Sequence, residues 1–233
     1  ATELRPIERG DAPRVYARYQ DAISDLEERL GTYCSYCERR LPAALAVEHV
    51  SPKSLARNLE TTWTNFLLGC PNCNSVKGAT PTSSAESLWP DHDNTCLAID
   101  YSEGGFVSVA GDLPNQVRAM ARNLLTLVGL QRHHASEDSR PASRDRRSRD
   151  REQVFALAQH QRELLESFSA EYRPRALRLV LDTALGYGFF SCWLEVFQDH
   201  ADFCNKLIDR MPGTARNCFD GSGRTRPRPG GRC

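Results

Sequence analysis

Two tight cysteine pairs constrain this chain more than anything else in it. Cys34-Ser-Tyr-Cys37 and Cys70-Pro-Asn-Cys73 each offer two thiolates from a short turn. Two such turns complete a tetrahedral four-sulfur shell for Zn2+ with no open position. Residues 38–69 separate them, more than a simple zinc ribbon uses, so an insert with its own task is expected between the knuckles. The chain has nine cysteines, an odd number, and its first residues lack the apolar core of a signal peptide. Both facts argue against a disulfide framework and predict a cytoplasmic protein. Cys96, Cys192, Cys204, Cys218 and Cys233 are scattered and read as bystanders. The best apolar stretch, residues 176–197, is broken by Arg178, Asp182 and Glu195, so no membrane partner is expected.

Periodicity organises the rest. Val15, Tyr19, Ile23, Leu26 and Leu30 fall on one helical face before Gly31, predicting an N-terminal helix within 1–32. Residues 44–50 read as a short strand. Ile99 and Tyr101, then Gly104-Gly105, then Phe106, Val107 and Val109 predict a hairpin. From about 115 the pattern is helical, through Val117, Met120, Leu124, Leu127 and Val128. It continues through Val154, Leu157, Leu164, Leu165 and Phe168, and over 175–211 as one helix or a pair opened by Pro174. Residues 135–151 carry no apolar face and read as a loose loop, with an Arg-bearing phosphate arm as the alternative. The expected class is α+β. It comprises an N-terminal helix (1–32), a knuckle-bearing domain with its hairpin (33–112), a helical region (113–220) and a flexible basic tail (221–233).

Thirty basic side chains balance thirty acidic ones, so global charge does not advertise a nucleic-acid binder. All but three of the basic residues are Arg. Of the lysines Lys53, Lys77 and Lys206, the first two lie near the knuckles, where a compact ammonium has a use that a guanidinium lacks.

The insert holds Glu48-His49, followed by Pro52-Lys53, and then Asn65. Asn74 directly follows Cys73, and Lys77 lies one helical turn further on. This order of knuckle, acid-His pair, Asn, knuckle, Asn and Lys resembles the HNH nuclease family, the His-Me finger fold with a zinc clamp. The resemblance covers about residues 33–80. It implies a zinc-clamped ββα-metal motif and hydrolysis of DNA phosphodiester bonds. It assigns His49 as general base, a task suited to imidazole near neutral pH. Glu48 and Asn74 would hold one Mg2+ or Mn2+, Asn65 would tie the loop that aims His49, and Lys77 would offset charge on the phosphate. Cys34, Cys37, Cys70 and Cys73 would hold a structural Zn2+. The family often carries His where Asn74 stands; an amide oxygen is still a suitable hard ligand.

The order of Leu88-Trp89-Pro90-Asp91-His92-Asp93-Asn94-Thr95, the Gly104-Gly105 hairpin, the helix through Asn123 to Leu130 and the late Met211-Pro212-Gly213-Thr214 also bears a looser resemblance. It is similar to the HNH subunit of Septu-type anti-phage defence systems, some attached to retrons. That likeness implies a separately encoded ABC-type ATPase as partner, and the chain itself has no GxxxxGK[ST] loop. A restriction or mobile-element nuclease and a non-catalytic zinc-supported binding module are the alternatives. Asp91, His92 and Asp93 read as a polar turn, with a second metal site as the sharper reading.

Overall fold

The computed structural model describes residues 4–82 and 85–233; residues 1–3 of the expected N-terminal unit lie outside it. A ββα unit sits at its centre. Strand β1 (Ala46–His49) pairs antiparallel with β2 (Phe66–Gly69), matching Glu48 to Leu67 and His49 to Phe66. Phe66, Leu67 and Leu68 are buried on both faces of this short ribbon. Cys70 then caps helix α2 (Pro71–Lys77), its sulfur accepting from Cys73 N–H at 3.4 Å, with a proline in the first turn.

The N-terminal helix is shorter than its apolar spacing predicts. A 3-10 turn (Tyr19–Ala22) leads into α1 (Ile23–Leu30), and Val15 is 98% exposed. The preceding segment is extended because β2 and its lead-in capture it. Arg9 donates to the carbonyls of Phe66 and Thr64, Trp63 Nε1 donates to Gly10 O, and Tyr16 stacks on Trp63.

The second hairpin forms as expected, β3 (Ile99–Ser102) against β4 (Phe106–Val109), with Gly104 and Gly105 at positive φ in its turn. Helices α3 (Asn115–Val128), α4 (Arg147–Ser167), α5 (Arg173–Tyr187), α6 (Phe190–Val196) and α7 (Ala201–Arg210) follow. The stretch read as one or two helices is thus three, broken by left-handed backbone at Gly188 and Phe189 and by a turn at His200.

Two segments read as loose are packed. In the 135–151 stretch, Arg147, Ser148 and Arg151 are buried. Beyond residue 220, Arg228 is buried and donates to Ile7 O and Pro90 O, while Arg232 N–H donates to Asp93. Polar sequence misled in both places because these arginines serve as donors to main-chain carbonyls and carboxylates rather than to water.

The helical half grips the first knuckle as well. Glu38, at φ 61 just after Cys37, accepts from Arg5 N–H, Ser191 N–H and Ser191 Oγ–H, and Phe189 N–H donates to Glu38 O. Arg39 pairs with Asp150 at 2.7 Å. One buried apolar cluster runs from the knuckles into the helices. Among the described residues no helix is long and apolar enough to cross a membrane.

Candidate active site and zinc clamp

The four knuckle sulfurs meet as their spacing predicts. Cys34, Cys37, Cys70 and Cys73 are fully buried, and all four sulfurs lie within 4.8 Å of one another. Zn–S bonds of about 2.3 Å place tetrahedral sulfurs about 3.8 Å apart, and Cys37 and Cys70 already stand at 3.6 Å. Without a cation these sulfurs cannot share negative charge comfortably. The donor set therefore fits Zn2+.

His49 ends β1 with its ring between two aromatics, Tyr19 at 4.9 Å and Phe66 at 5.3 Å, both edge-on. Its Nε2 lies 2.9 Å from the main-chain oxygen of Glu60. A carbonyl only accepts, so Nε2 carries the proton and Nδ1 keeps the free lone pair. Burial holds the imidazole below its ordinary pKa, the Glu60 contact opposes this, and the ammonium groups of Lys53 and Lys77 add to the lowering.

Asn65 closes the loop after His49. Its Oδ1 accepts from Ser51 N–H at 2.7 Å, and its Nδ2 donates to Ser51 O and Leu59 O. The loop carrying Glu60 is thereby tied across the ribbon.

Lys77, expected to offset charge on the phosphate, is held here by partners within the protein. Its ammonium, 1% exposed, donates to His49 O at 2.7 Å and pairs with Glu48 Oε1 at 2.7 Å. It holds the end of β1 from beneath. Burial raises the Glu48 carboxyl above its usual range, and Lys77 pulls it back.

Glu48 and Asn74 meet across Gly69. A Cβ on Gly69 would overlap Asn74 Oδ1 and lie 3.0 Å from Glu48 Cβ, so with Asn74 where it stands the position takes only glycine. Asn74 Oδ1 is buried without a hydrogen-bond donor, while Glu48 Oε1 is answered by the Lys77 ammonium. A carboxylate and an unpaired amide oxygen are the hard donors a divalent cation prefers.

Sequence reasoning missed Tyr19 and underused Lys53. Lys53 Nζ sits 4.1 Å over the Tyr19 ring and donates to its hydroxyl at 2.8 Å. The signal was present, since Tyr19 lies on the apolar face of the N-terminal segment and Lys53 is a rare lysine. The Asp91–Asp93 turn is not a metal cluster among the described residues. Asp91 pairs with Arg9, and Asp93 accepts from Trp89 N–H and Arg232 N–H.

A two-stranded ribbon and helix, drawn together at four cysteines and ending β1 on a histidine, form a compact ββα unit. The family model described as HNH endonuclease matches residues 34–80 of the chain, the segment that holds this unit. No curated protein and no solved structure matches the chain.

Proposed function

We propose that this chain is a metal-dependent endonuclease that hydrolyses DNA phosphodiester bonds. The observation that carries the reading is the tautomer of His49 that the Glu60 carbonyl selects, with Nδ1 as the acceptor, at the end of the strand that also carries Glu48. His49 Nδ1 takes the proton of the attacking water. Glu48 and Asn74 hold Mg2+ or Mn2+, which when bound acts as a Lewis acid on the scissile phosphate and the leaving oxygen. Asn65 keeps the Glu60 carbonyl on Nε2, and Lys77 anchors Glu48 and the end of β1. The four-cysteine zinc stands in for the core that so small a unit lacks. The test is incubation of plasmid DNA with the full chain and Mg2+ or Mn2+, with and without EDTA. Cleavage that EDTA stops and His49→Ala abolishes supports the reading. DNA binding without cleavage in wild type overturns it in favour of a zinc-supported binding module.

The finer role follows from the looser likeness to Septu-type nucleases: a cytoplasmic defence effector governed by a separate ABC-type ATPase, with 113–220 as its docking region. Exposed Leu164, Phe168, Tyr172, Leu179 and Tyr187 on and around α4 and α5 support a partner face there. A stable interface buries about 800 Å² per partner. Co-purification of the neighbouring ATPase with the wild-type chain, lost in Leu179→Glu, is the expected result. Equal retention by both places the docking face elsewhere. Cleavage confined to one recognition sequence, with no ATPase bound, favours a restriction or mobile-element nuclease.

A further inference from the structure

The zinc clamp has a partner outside the matched domain. Arg147 opens α4 and is 2% exposed. Its guanidinium is fixed on one edge by Asp145, with Nε at 2.9 Å from Oδ1 and Nη2 at 2.7 Å from Oδ2. The remaining Nη1 donates to Val128 O at 2.7 Å and to Cys73 Sγ at 3.1 Å. The other N–H donors to these sulfurs come from the main chain, Cys70 to Cys34 Sγ at 3.3 Å and Cys73 to Cys70 Sγ at 3.4 Å. Among the described residues, Arg147 is the one charged donor that reaches the cluster.

Four thiolates on Zn2+ leave an excess of negative charge, here fully buried, where uncompensated charge is costly. A donor on a ligand sulfur spreads that charge and orients the ligand, which is how groups behind the first ring of ligands tune a metal. A guanidinium held by a carboxylate is a rigid donor whose direction is set before the metal arrives.

We propose that Arg147 is a positioning residue of the zinc clamp: its Nη1 hydrogen bond to Cys73 Sγ, aimed by Asp145, retains the metal. Zinc retention then depends on the helical half of the chain. The proposal concerns zinc and stands independently of the nuclease reading.

Arg151 supplies the control. It lies one turn along α4, is 1% exposed, and donates to Gly105 O at 2.9 Å and Leu130 O at 3.3 Å; its guanidinium reaches none of the four knuckle sulfurs, and the one sulfur near it, Cys192 Sγ, lies against its main-chain oxygen. If buried arginines at the start of α4 serve only to pack it, the two positions behave alike.

The experiment uses the full chain, zinc-loaded, as wild type, Arg147→Gln, Arg147→Lys, Arg151→Gln and Asp145→Asn. Zinc transfer to a chromogenic chelator is timed, and the sulfur-to-metal charge-transfer band is recorded after Co2+ loading. Arg147→Gln is expected to release zinc at least ~10-fold faster than Arg151→Gln, the lower end for loss of such a partner, and to shift the cobalt band. Arg147→Lys, which keeps a charged donor, recovers part of the retention. Equal release rates and equal band energies in Arg147→Gln and Arg151→Gln overturn the proposal. Should Arg147→Gln fail to fold, Asp145→Asn decides, since it leaves the arginine present but unaimed. Faster release there supports the proposal and unchanged release overturns it.

Discussion

His49 is bonded through Nε2 to the main-chain oxygen of Glu60, 2.9 Å away and eleven residues later in the chain. That contact fixes where the imidazole proton sits, and a main-chain acceptor cannot be deleted by substituting a side chain. The free lone pair on Nδ1 is therefore a property of the loop geometry, which Asn65 holds at Ser51 and Leu59.

Replacing His49 with alanine is expected to lower the hydrolysis rate by at least ~10²-fold, the low end for a general base. Zinc content and folding should stay normal, because the ring lies at the strand end, touches none of the four cysteines, and Phe66 keeps its contact with Tyr16. Plasmid relaxation timed in Mg2+, with circular dichroism and zinc analysis alongside, checks this. A variant that cuts at the wild-type rate removes His49 from the chemistry.

Lys77→Met leaves Glu48 without its ion-pair partner and His49 O without its donor. Stranding one member of a buried pair costs about 3–5 kcal/mol. The expected outcome is an unfolding free energy, extrapolated from urea titration, lowered by that amount in Mg2+-free buffer at pH 7. A change under 1 kcal/mol, the range of exposed pairs, means that the pair is solvated in solution.

The candidate site was legible in the sequence where chemistry is written into residue type and short spacing. The knuckles and the second hairpin needed only local rules, whereas Glu48-His49 and Asn74 were picked out by the resemblance to the HNH family. What was not legible depends on distant partners. Nothing in the periodicity of 135–151 says that Arg147 will reach Cys73, since an arginine without an apolar face is ordinarily solvated. Val15 fits a helical stripe, yet β2 and Trp63 capture the preceding segment before a helix can extend over it. The partners of Lys77 were hidden for a related reason. Only the placement of α2 under β1 shows that its ammonium reaches Glu48 and His49 O.

Gly69→Ala tests the oxygen pair without removing either ligand. The added methyl would collide with Asn74 Oδ1 and crowd Glu48 Cβ. Asn74 has a movable side chain, so it swings away rather than unfolding the ribbon. Zinc is retained, and the Mg2+ concentration for half-maximal cleavage rises about tenfold, equivalent to about 1.4 kcal/mol in cation binding. An unchanged Mg2+ titration shows that Asn74 Oδ1 is not a ligand.

Lys53 is the lysine whose charge no carboxylate answers among the described residues. Lys77 pairs with Glu48 and Lys206 with Asp202, whereas Lys53 lies on the Tyr19 ring and donates to its hydroxyl. Tyr19 in turn abuts His49, so an exposed ammonium stands beside the proposed base. A backbone phosphate is the anion that DNA would bring there. A lysine that contacts one phosphate contributes through counterion release, so its removal weakens binding without regard to sequence and lowers the slope of log K against log salt by about 1. DNA titrations with His49→Ala and with His49→Ala/Lys53→Met, across a salt series and without divalent cation, read this directly. Removing the charge without removing the methylene stem separates electrostatics from packing on Tyr19, because methionine can still cover the ring. A double variant with the same salt slope as its parent places the phosphate contact elsewhere, and Lys53 is then left with only its contact on Tyr19.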